Sequence, residues 1–495
     1  MNAQDETRHE TELKLRVPPE RASAVLAAVK GTRGTSTRTR LQATYLDTPD
    51  HALAAKGMGW RLRREGRRWV QTLKATTRDG GDGLRREEHN APVKGPQRPE
   101  PDPTLHAGTP AGDRLLAMIA RGADPQETFR TDIWREARTT RVPGGTVELA
   151  FDKGVVAAGD RTLPVCELEI ELKSGRPQAV LHAARHWSQR HGLWLDTATK
   201  AHRGGMLARD ADTLAVAKAP PAVLHRDMSL DGALREMTRV CLVQILGNTS
   251  AIAAGLAGHE HVHQARVGIR KLRTALHEFG AQCPAVDPTW REDLASVFAV
   301  LGAARDREVV LAGWLTALAA EGAPAVTLPP ATGDDPAEVL RGIDFTNLAL
   351  DLIEYALGEP APAGDEPLTK IVDATLARLR ATSAKRADVF RELDIEEQHE
   401  IRKQLKRLRY CGELTASLYG RKKVARYVKA LEPAQDALGT LNDLSVATEV
   451  FEDLAASDPN AWFAVGWLKS RHDATVKACV KPLRAAAKAE RFWKR

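Results

Sequence analysis

The stretch Cys166-Glu-Leu-Glu-Ile-Glu-Leu-Lys173 alternates charged and apolar residues without a break. In a β-strand successive side chains leave opposite faces, so Glu167, Glu169, Glu171 and Lys173 share one side while Leu168, Ile170 and Leu172 share the other. The same inversion runs through Glu10-Thr-Glu-Leu-Lys-Leu-Arg-Val17, where Glu10, Glu12, Lys14 and Arg16 oppose Thr11, Leu13, Leu15 and Val17. Glu148 and Asp152 oppose Val147, Leu149 and Phe151 in the same way. A half-solvated antiparallel sheet accounts for any one of these strands taken alone. Three carboxylates in one row repel one another, however, and separate segments supply rows of cations: Arg61 and Arg63 after Trp60, then Lys74, and Arg86 beside Glu88. Acids and bases together on the inner wall of a closed sheet would make a site for a divalent cation, Mg²⁺ or Mn²⁺, held against a polyanion. The cationic side chains would hold the phosphate oxygens directly.

Working outward, short alternating segments separated by Gly, Pro and Asp continue to about residue 210 and predict strands over Trp60–Arg64, Trp69–Lys74 and Thr146–Asp152. Ala22–Val29 and Gln178–Arg190 read as helices. A first domain over 1–210, a linker over 211–225 carrying Ala219-Pro-Pro-Ala222, and an all-α domain over 226–495 are expected. Within the last, His263-Gln-Ala-Arg-Val-Gly-Ile-Arg-Lys-Leu-Arg273 returns as His399-Glu-Ile-Arg-Lys-Gln-Leu-Lys-Arg-Leu-Arg409, and Leu301-Gly302 with Arg305-Asp306 returns as Leu438-Gly439 with Asn442-Asp443. Order and spacing are kept, which predicts two related helical bundles in tandem, with halves of about 226–350 and 366–495.

On a helix, His263, Arg266, Arg270 and Arg273 fall on one face, as do His399, Arg402, Lys406 and Arg409 in the second copy. Each stripe spans roughly 15 Å. A single basic face is ordinarily just solvated. Two copies with the same head and spacing, flanked by Lys271, Lys403 and Arg407, point instead to a functional strip of positive potential.

The 495 residues exceed one compact core, which is consistent with two or three units. Seventy-two Lys+Arg against 65 Asp+Glu leave a net charge of only +7, so placement of charge matters more than its sum. With 43% hydrophobic and 28% charged residues the composition is that of a globular protein, and no apolar run is long enough to span a bilayer. The start of the chain carries charge where a signal peptide would be apolar. Five widely spaced cysteines without a CxxC pair predict reduced thiols and a cytoplasmic location.

The first half resembles the CYTH domains, or triphosphate tunnel metalloenzymes. The resemblance rests on Glu10-Thr-Glu12-Leu-Lys14, Tyr45-Leu-Asp-Thr-Pro-Asp50, Arg61-Leu-Arg63, Thr72-Leu-Lys74, Arg86-Glu-Glu88, Thr131-Asp-Ile-Trp-Arg135, Glu148 through Asp152 with Gly154, Cys166 through Leu172, and Lys200-Ala-His-Arg203-Gly, in the family's order over roughly 6–208. It implies an eight-stranded antiparallel tunnel barrel that hydrolyses a triphosphate with Mg²⁺ or Mn²⁺. Glu10, Glu12, Glu167 and Glu169 match metal ligands, and Asp152 a tunnel acid beside them. With Lys14 these make up the catalytic set. Lys14, Arg61, Arg63, Lys74, Arg86, Arg135, Lys200 and Arg203 match phosphate-binding positions. Relatives with this barrel include adenylate cyclases and nucleoside triphosphatases, so nucleotide processing is an alternative to hydrolysis of inorganic triphosphate.

The second half resembles the CHAD family over roughly 226–490, through His263-x-x-Arg266 with Arg270-Lys-Leu-Arg273, Leu301-Gly302, His399-x-x-Arg402 with Lys406-Arg-Leu-Arg409-Tyr, and Leu438-Gly-Thr-Leu-Asn442-Asp443. It implies two four-helix bundles related by a pseudo-twofold, with a basic surface for inorganic polyphosphate. His263, Arg266, Arg270, Lys271, Arg273, His399, Arg402, Lys403, Lys406, Arg407 and Arg409 are the expected polyphosphate contacts. Asn442 stands where the first copy has Arg305, which removes one cation. Few aromatics interleave with the stripes, so nucleic acid is not the expected ligand. The expectation is a soluble α+β then all-α enzyme of phosphate metabolism, associated with polyphosphate granules. A non-enzymatic granule-binding protein is the alternative.

Overall fold

The computed structural model describes residues 8–31, 36–76, 85–95, 97–327 and 333–493, with the side chains of 8–10, 76, 85–86 and 303–312 outside the description. Nine strands are present among the described residues: β1 (Arg8–Arg16), β2 (Thr37–Asp47), β3 (Met58–Glu65), β4 (Arg68–Thr76), β5 (Arg85–Val93), β6 (Gln126–Val142), β7 (Gly145–Ala158), β8 (Arg161–Gly175) and β9 (Trp194–Leu195). They pair antiparallel in the order β5-β4-β3-β2-β6-β7-β8-β1-β9, and a further β5–β1 pairing closes eight of them into a ring. The expected eight-stranded barrel is therefore present, with β9 added beside β1. Closure leaves no edge among those eight strands.

The alternation read from the sequence sorts outside from inside. On the outer face, Trp60 of β3 and Leu73 of β4 pack on α2 (Ala52–Ala55) and α3 (Pro110–Ile119) through Leu53, Ala111 and Leu115. Leu13, Leu15, Leu149, Leu168 and Ile170 are buried, where α1 (Ala22–Lys30) and α4 (Gln178–His191) cover β1, β6, β7 and β8. The charged residues of the same strands necessarily turn inward.

One end of the interior is filled by α5 (Lys200–Ala208), whose Met206 and Leu207 pack on Leu41, Ala43, Tyr45, Phe129, Ile133, Val156 and Val165. The helix starts sharply at Lys200 because the Thr199 hydroxyl accepts from the His202 amide and His202 reaches back to the Thr199 amide, a reciprocal cap. It lies close because it presents glycine: a Cβ on Gly204 would sit 2.0 Å from the Phe129 ring.

The helical part continues as α6 (Leu230–Ala253), α7 (His259–Phe279), α8 (Trp290–Ala320), α9 (Pro336–Arg341), α10 (Ile343–Leu357), α11 (Leu368–Lys385), α12 (Ile395–Leu414), α13 (Arg421–Ala455) and α14 (Ala461–Lys488). No helix among the described residues is long and apolar enough to cross a membrane. Compact units do not follow chain order. One comprises Met1–Lys218, Leu242–Ala265 and Ala337–Leu357; the other comprises Ala219–Cys241, Arg266–Pro336 and Gly358–Arg495. In the second, α11 packs on α12, α12 on α13, α13 on α14 and α14 back on α11, a four-helix bundle. All five cysteines are buried and unpaired, as expected.

Because Phe129 is stacked on Tyr45 with centroids 4.3 Å apart, it has little freedom to yield. Gly204→Ala is expected to cost about 1–3 kcal/mol by overpacking. Gly205→Ala next to it meets only the flexible end of Arg209 and should be neutral or slightly stabilising. Urea unfolding of the two variants checks the contrast.

Candidate functional site

Register brings the inward carboxylates together. Asp152 of β7 lies opposite Glu167 of β8, and Glu169 is two residues farther along the same face. Asp152 and Glu167 are fully buried, and oxygens of Asp152, Glu167 and Glu169 lie within 4.8 Å of one another. Burial of this much negative charge demands cations. Arg135, opposite Asp152 on β6, donates from Nε and Nη2 to the two Asp152 oxygens at 2.7 Å each, and Nη2 also reaches Glu169. Lys14 on β1 stands 4.0 Å from Glu167 and 3.9 Å from Glu169. Lys200, the first residue of α5, places Nζ at 2.6 Å from Asp152, 2.6 Å from Glu167 and 2.8 Å from Glu169.

These contacts outweigh desolvation. Burial would raise the Glu169 carboxyl, but Lys200, Arg135 and Lys14 hold it well below the usual carboxylate range. Burial likewise disfavours charge on Lys200, yet the three carboxylates hold its ammonium well above the ordinary lysine value. Glu167 Oε2 is buried without a hydrogen-bond partner, 3.6 Å from Arg203. Clustered hard oxygens with one lone-pair set unspent suit Mg²⁺ or Mn²⁺, so the residues fit the implied metal.

Glu12 lies opposite Glu171, whereas Lys14 lies opposite Glu169 and Arg16 opposite Glu167. Glu12 is thus one full strand repeat from Glu169, and the close group among the described residues comprises Asp152, Glu167 and Glu169. The side chains of Glu10 and Arg86 lie outside the described residues, although their backbones are partners in the β1–β5 register.

The remaining cations line β3 and β4. Arg61 donates to the Tyr45 hydroxyl at 3.3 Å and lies 3.9 Å from Glu88, which Lys74 contacts at 2.6 Å. Arg63 pairs with Glu65, but its Nε is buried without a hydrogen-bond partner. Burial and then Arg61, with Arg135 beyond, pull its guanidinium down to about 10, the mark of a cation in need of an anion. Arg203 is used differently from the expectation. It is 2% exposed, bonded to Asp196 and at 2.7 Å to the Ala198 carbonyl, so it holds the turn before α5. That turn is also held by α6, where Ser250 Oγ accepts from the Thr197 amide at 3.0 Å and the Leu246 carbonyl accepts from the Thr197 hydroxyl at 3.1 Å. Tyr45, Glu88 and Asp196 were not among the expected site residues. Tyr45 and Glu88 stood inside quoted motifs, but nothing in the sequence singles out Asp196.

In the second unit the two basic stripes converge. Arg266 and Arg270 of α7 lie 4.2 and 5.0 Å over the Phe298 ring. Gly302 makes room for this, since a Cβ there would sit 2.1 Å from Arg266 Nη1, whereas Gly439 in the second copy faces open space. Burial, then Arg270, Arg402 and Arg266, push the Lys406 ammonium down to about 6 against the pull of Asp443. His399 is lowered by burial and by Lys403, Arg402 and Lys406, and Arg273 by burial and by Arg291, Arg270 and Arg407. Arg291 joins the cluster unannounced by any repeat. Four of the expected contacts also have partners within the fold. Lys271 pairs with Glu413 at 2.8 Å, Arg409 bonds Glu413 at 2.7 Å and Gln435 at 2.8 Å, and Lys403 lies 3.8 Å from Glu400. Arg407 also lies 3.8 Å from Glu400. His263 belongs to the first unit, and the side chains of Arg305 and Asp306 lie outside the described residues.

Comparison with known families matches residues 8–204 to the CYTH domain and residues 236–452 to the CHAD domain. The chain is a CYTH domain followed by a CHAD domain. An inorganic triphosphatase of Haemophilus influenzae is 30% identical over 168 residues, 33% of this chain and 45% of that protein, so the match spans under half of the relative's length. The crystal structure of a CHAD domain from Ricinus communis is similar at 31% identity over 56% of this chain and 98% of that one, with a TM-score of 0.45. A Hippeastrum protein described as a putative adenylyl cyclase with a dominant triphosphatase activity is similar at 19% identity over 41% and 96%, with a TM-score of 0.29.

Within the CYTH domain, Arg135→Met takes from Asp152 its two-point guanidinium partner and from Glu169 one of its cations, and is expected to cost about 3–5 kcal/mol near neutral pH. Because Glu169 is held low in the folded state, the stability from its pairing is fully present above about pH 4.5 and is lost as pH falls further. The gap between wild type and variant should therefore narrow below about pH 4, read from urea unfolding in EDTA.

Proposed function

We propose that the CYTH barrel hydrolyses inorganic triphosphate to pyrophosphate and phosphate with Mg²⁺ or Mn²⁺, and that the CHAD helices bind inorganic polyphosphate. The observation that carries the reading is the meeting, inside one closed ring, of the Asp152–Glu167–Glu169 group with cations that outnumber it, among them Arg63 held below its ordinary proton affinity. A linear polyanion relieves that stress, and a lone phosphate or carboxylate would engage only part of the row. Arg61, Arg63 and Lys74 would bind the phosphate chain, each as a charge-assisted donor to phosphoryl oxygens. Arg135 and Lys14 pair with Asp152, Glu167 and Glu169 and orient them. The metal, when held by those carboxylates, neutralises charge on the phosphate chain and polarises the phosphoryl group under attack by water. α5 closes one end of the interior and so limits competing water there.

Support for the CHAD reading is the like-charge stress on Lys406 and Arg273, which a polyphosphate chain would discharge without any base contact. The 30% identical relative is named an inorganic triphosphatase.

Phosphate release from triphosphate in Mn²⁺ or Mg²⁺ is the decisive assay, run beside ATP and long-chain polyphosphate with product analysis. Glu167→Gln together with Glu169→Gln should lower kcat/KM by at least about 10²-fold while polyphosphate binding is retained. No phosphate release from triphosphate by the wild-type chain would refute the enzymatic reading, and displacement of polyphosphate by duplex DNA at equal phosphate would refute the binding one.

Polyphosphate binding should also take up protons. Lys406 faces Arg266 and Arg270 of α7, Arg402 and His399 of its own helix and Asp443 of α13, and a bound anion raises its proton affinity from about 6. Affinity should then fall as pH rises from about 6 to 8, by up to about tenfold per pH unit for one coupled proton. Buffer-dependent heats of binding measure the uptake, and Lys406→Met should remove most of it, with His399 supplying the remainder.

A further inference from the structure

Lys200 Nζ occupies the centre of the carboxylate group. It is within 2.6–2.8 Å of one oxygen from each of Asp152, Glu167 and Glu169, the three residues that would hold a divalent ion. An ammonium and a metal ion cannot share that point. Arg135 and Lys14 approach the same carboxylates from the barrel wall, and both are fixed to strands. Lys200 differs from Lys14 in making the short contacts, 2.6–2.8 Å against 3.9–4.0 Å, and from Arg135 in carrying its charge on a flexible four-carbon stem that can move without the backbone of α5.

We propose that Lys200 is a tethered counter-cation that competes with the divalent metal for Asp152, Glu167 and Glu169, and that metal entry transfers its ammonium to the phosphate chain of the substrate. Charge accounting supports the exchange. The three carboxylates are already matched by Lys200, Arg135 and Lys14, so a metal ion added alone leaves the displaced ammonium in a cation-rich interior beside Arg63 and Tyr45. A triphosphate entering with the metal supplies the negative charge that receives it. Metal and substrate thereby favour each other's binding, and metal binding in the absence of substrate is weak.

The inference rests on reading the barrel as a metal and triphosphate site. Its test is Mn²⁺ binding to the full-length chain without phosphate, followed by the electron paramagnetic resonance signal of free Mn²⁺. Lys200→Met and Lys200→Gln, each checked by near-UV circular dichroism, should bind Mn²⁺ about tenfold or more tighter than wild type, within the usual range for linked sites. Loss of triphosphatase activity alone would not distinguish competition from direct phosphate contact, and the tighter metal binding does. Unchanged or weaker Mn²⁺ binding in a folded Lys200 variant would overturn the proposal. Triphosphate hydrolysis by the wild-type chain, measured in parallel, reports separately on the function itself.

Discussion

The first unit depends on pairing three carboxylates with cations away from water. Asp152 and Glu167 are wholly buried and Glu169 nearly so, and buried carboxylates are costly unless cations pair with them. Their cations come from three places in the chain: Arg135 from the neighbouring strand, Lys14 from the strand on the other side of β8, and Lys200 from the helix inside the barrel. Arg135 and Lys14 arrive with the β6-β7-β8-β1 pairing, whereas Lys200 is supplied only when α5 enters the interior. The close approach of Gly204 to Phe129 and the bonds that hold the Asp196–Thr199 turn are therefore part of the electrostatics as much as of the packing.

The helical half poses the opposite problem. Its cations are collected on two repeated helix faces with too few acids to match them, and the mismatch is stored as depressed proton affinity at Lys406, His399 and Arg273. Stability there is carried by apolar stripes on the same helices, where Ile269, Leu272, Ile401, Leu405 and Leu408 are buried. Phe298 accommodates two of the guanidinium groups on its face, which softens their desolvation. An unmatched strip of this kind suits reversible capture of a polyanion, whereas the barrel, with carboxylates and a surplus of cations side by side, suits a site where a divalent ion and a phosphate chain enter together. The small net charge of the chain is the sum of these two arrangements.

The two copies of the helical repeat have also diverged in how they use one motif. Gly302 is needed because Arg266 lies where a Cβ would be, yet Gly439 has no such neighbour. Arg409, which matches Arg273 by position, is committed to Glu413 and Gln435, while Arg273 stands among Arg291, Arg270 and Arg407. Pseudo-symmetry of sequence thus ends in an unsymmetrical cluster.

Strand alternation by itself was enough to place Lys14, Asp152, Glu167 and Glu169 on one inner wall, because side-chain direction in a strand is set by parity alone. Helical periodicity likewise placed Arg266 beside Arg270 and Arg402 beside Lys406, and turn residues marked the change from β to α near 210. Which acids meet was not legible, because it depends on inter-strand register: Glu12 has the right parity but pairs with Glu171, whereas the close group among the described residues comprises Asp152, Glu167 and Glu169. Arg203 and Arg409 carried the right charge and were claimed by Asp196 and by Glu413 with Gln435, partners distant in sequence or unmarked by any motif. The identity of the inward groups is a local property of the chain. Their partners are a property of closure, which only the tertiary structure decides, since a shift of one strand repeat moves a carboxylate about 7 Å and exchanges one cation for another.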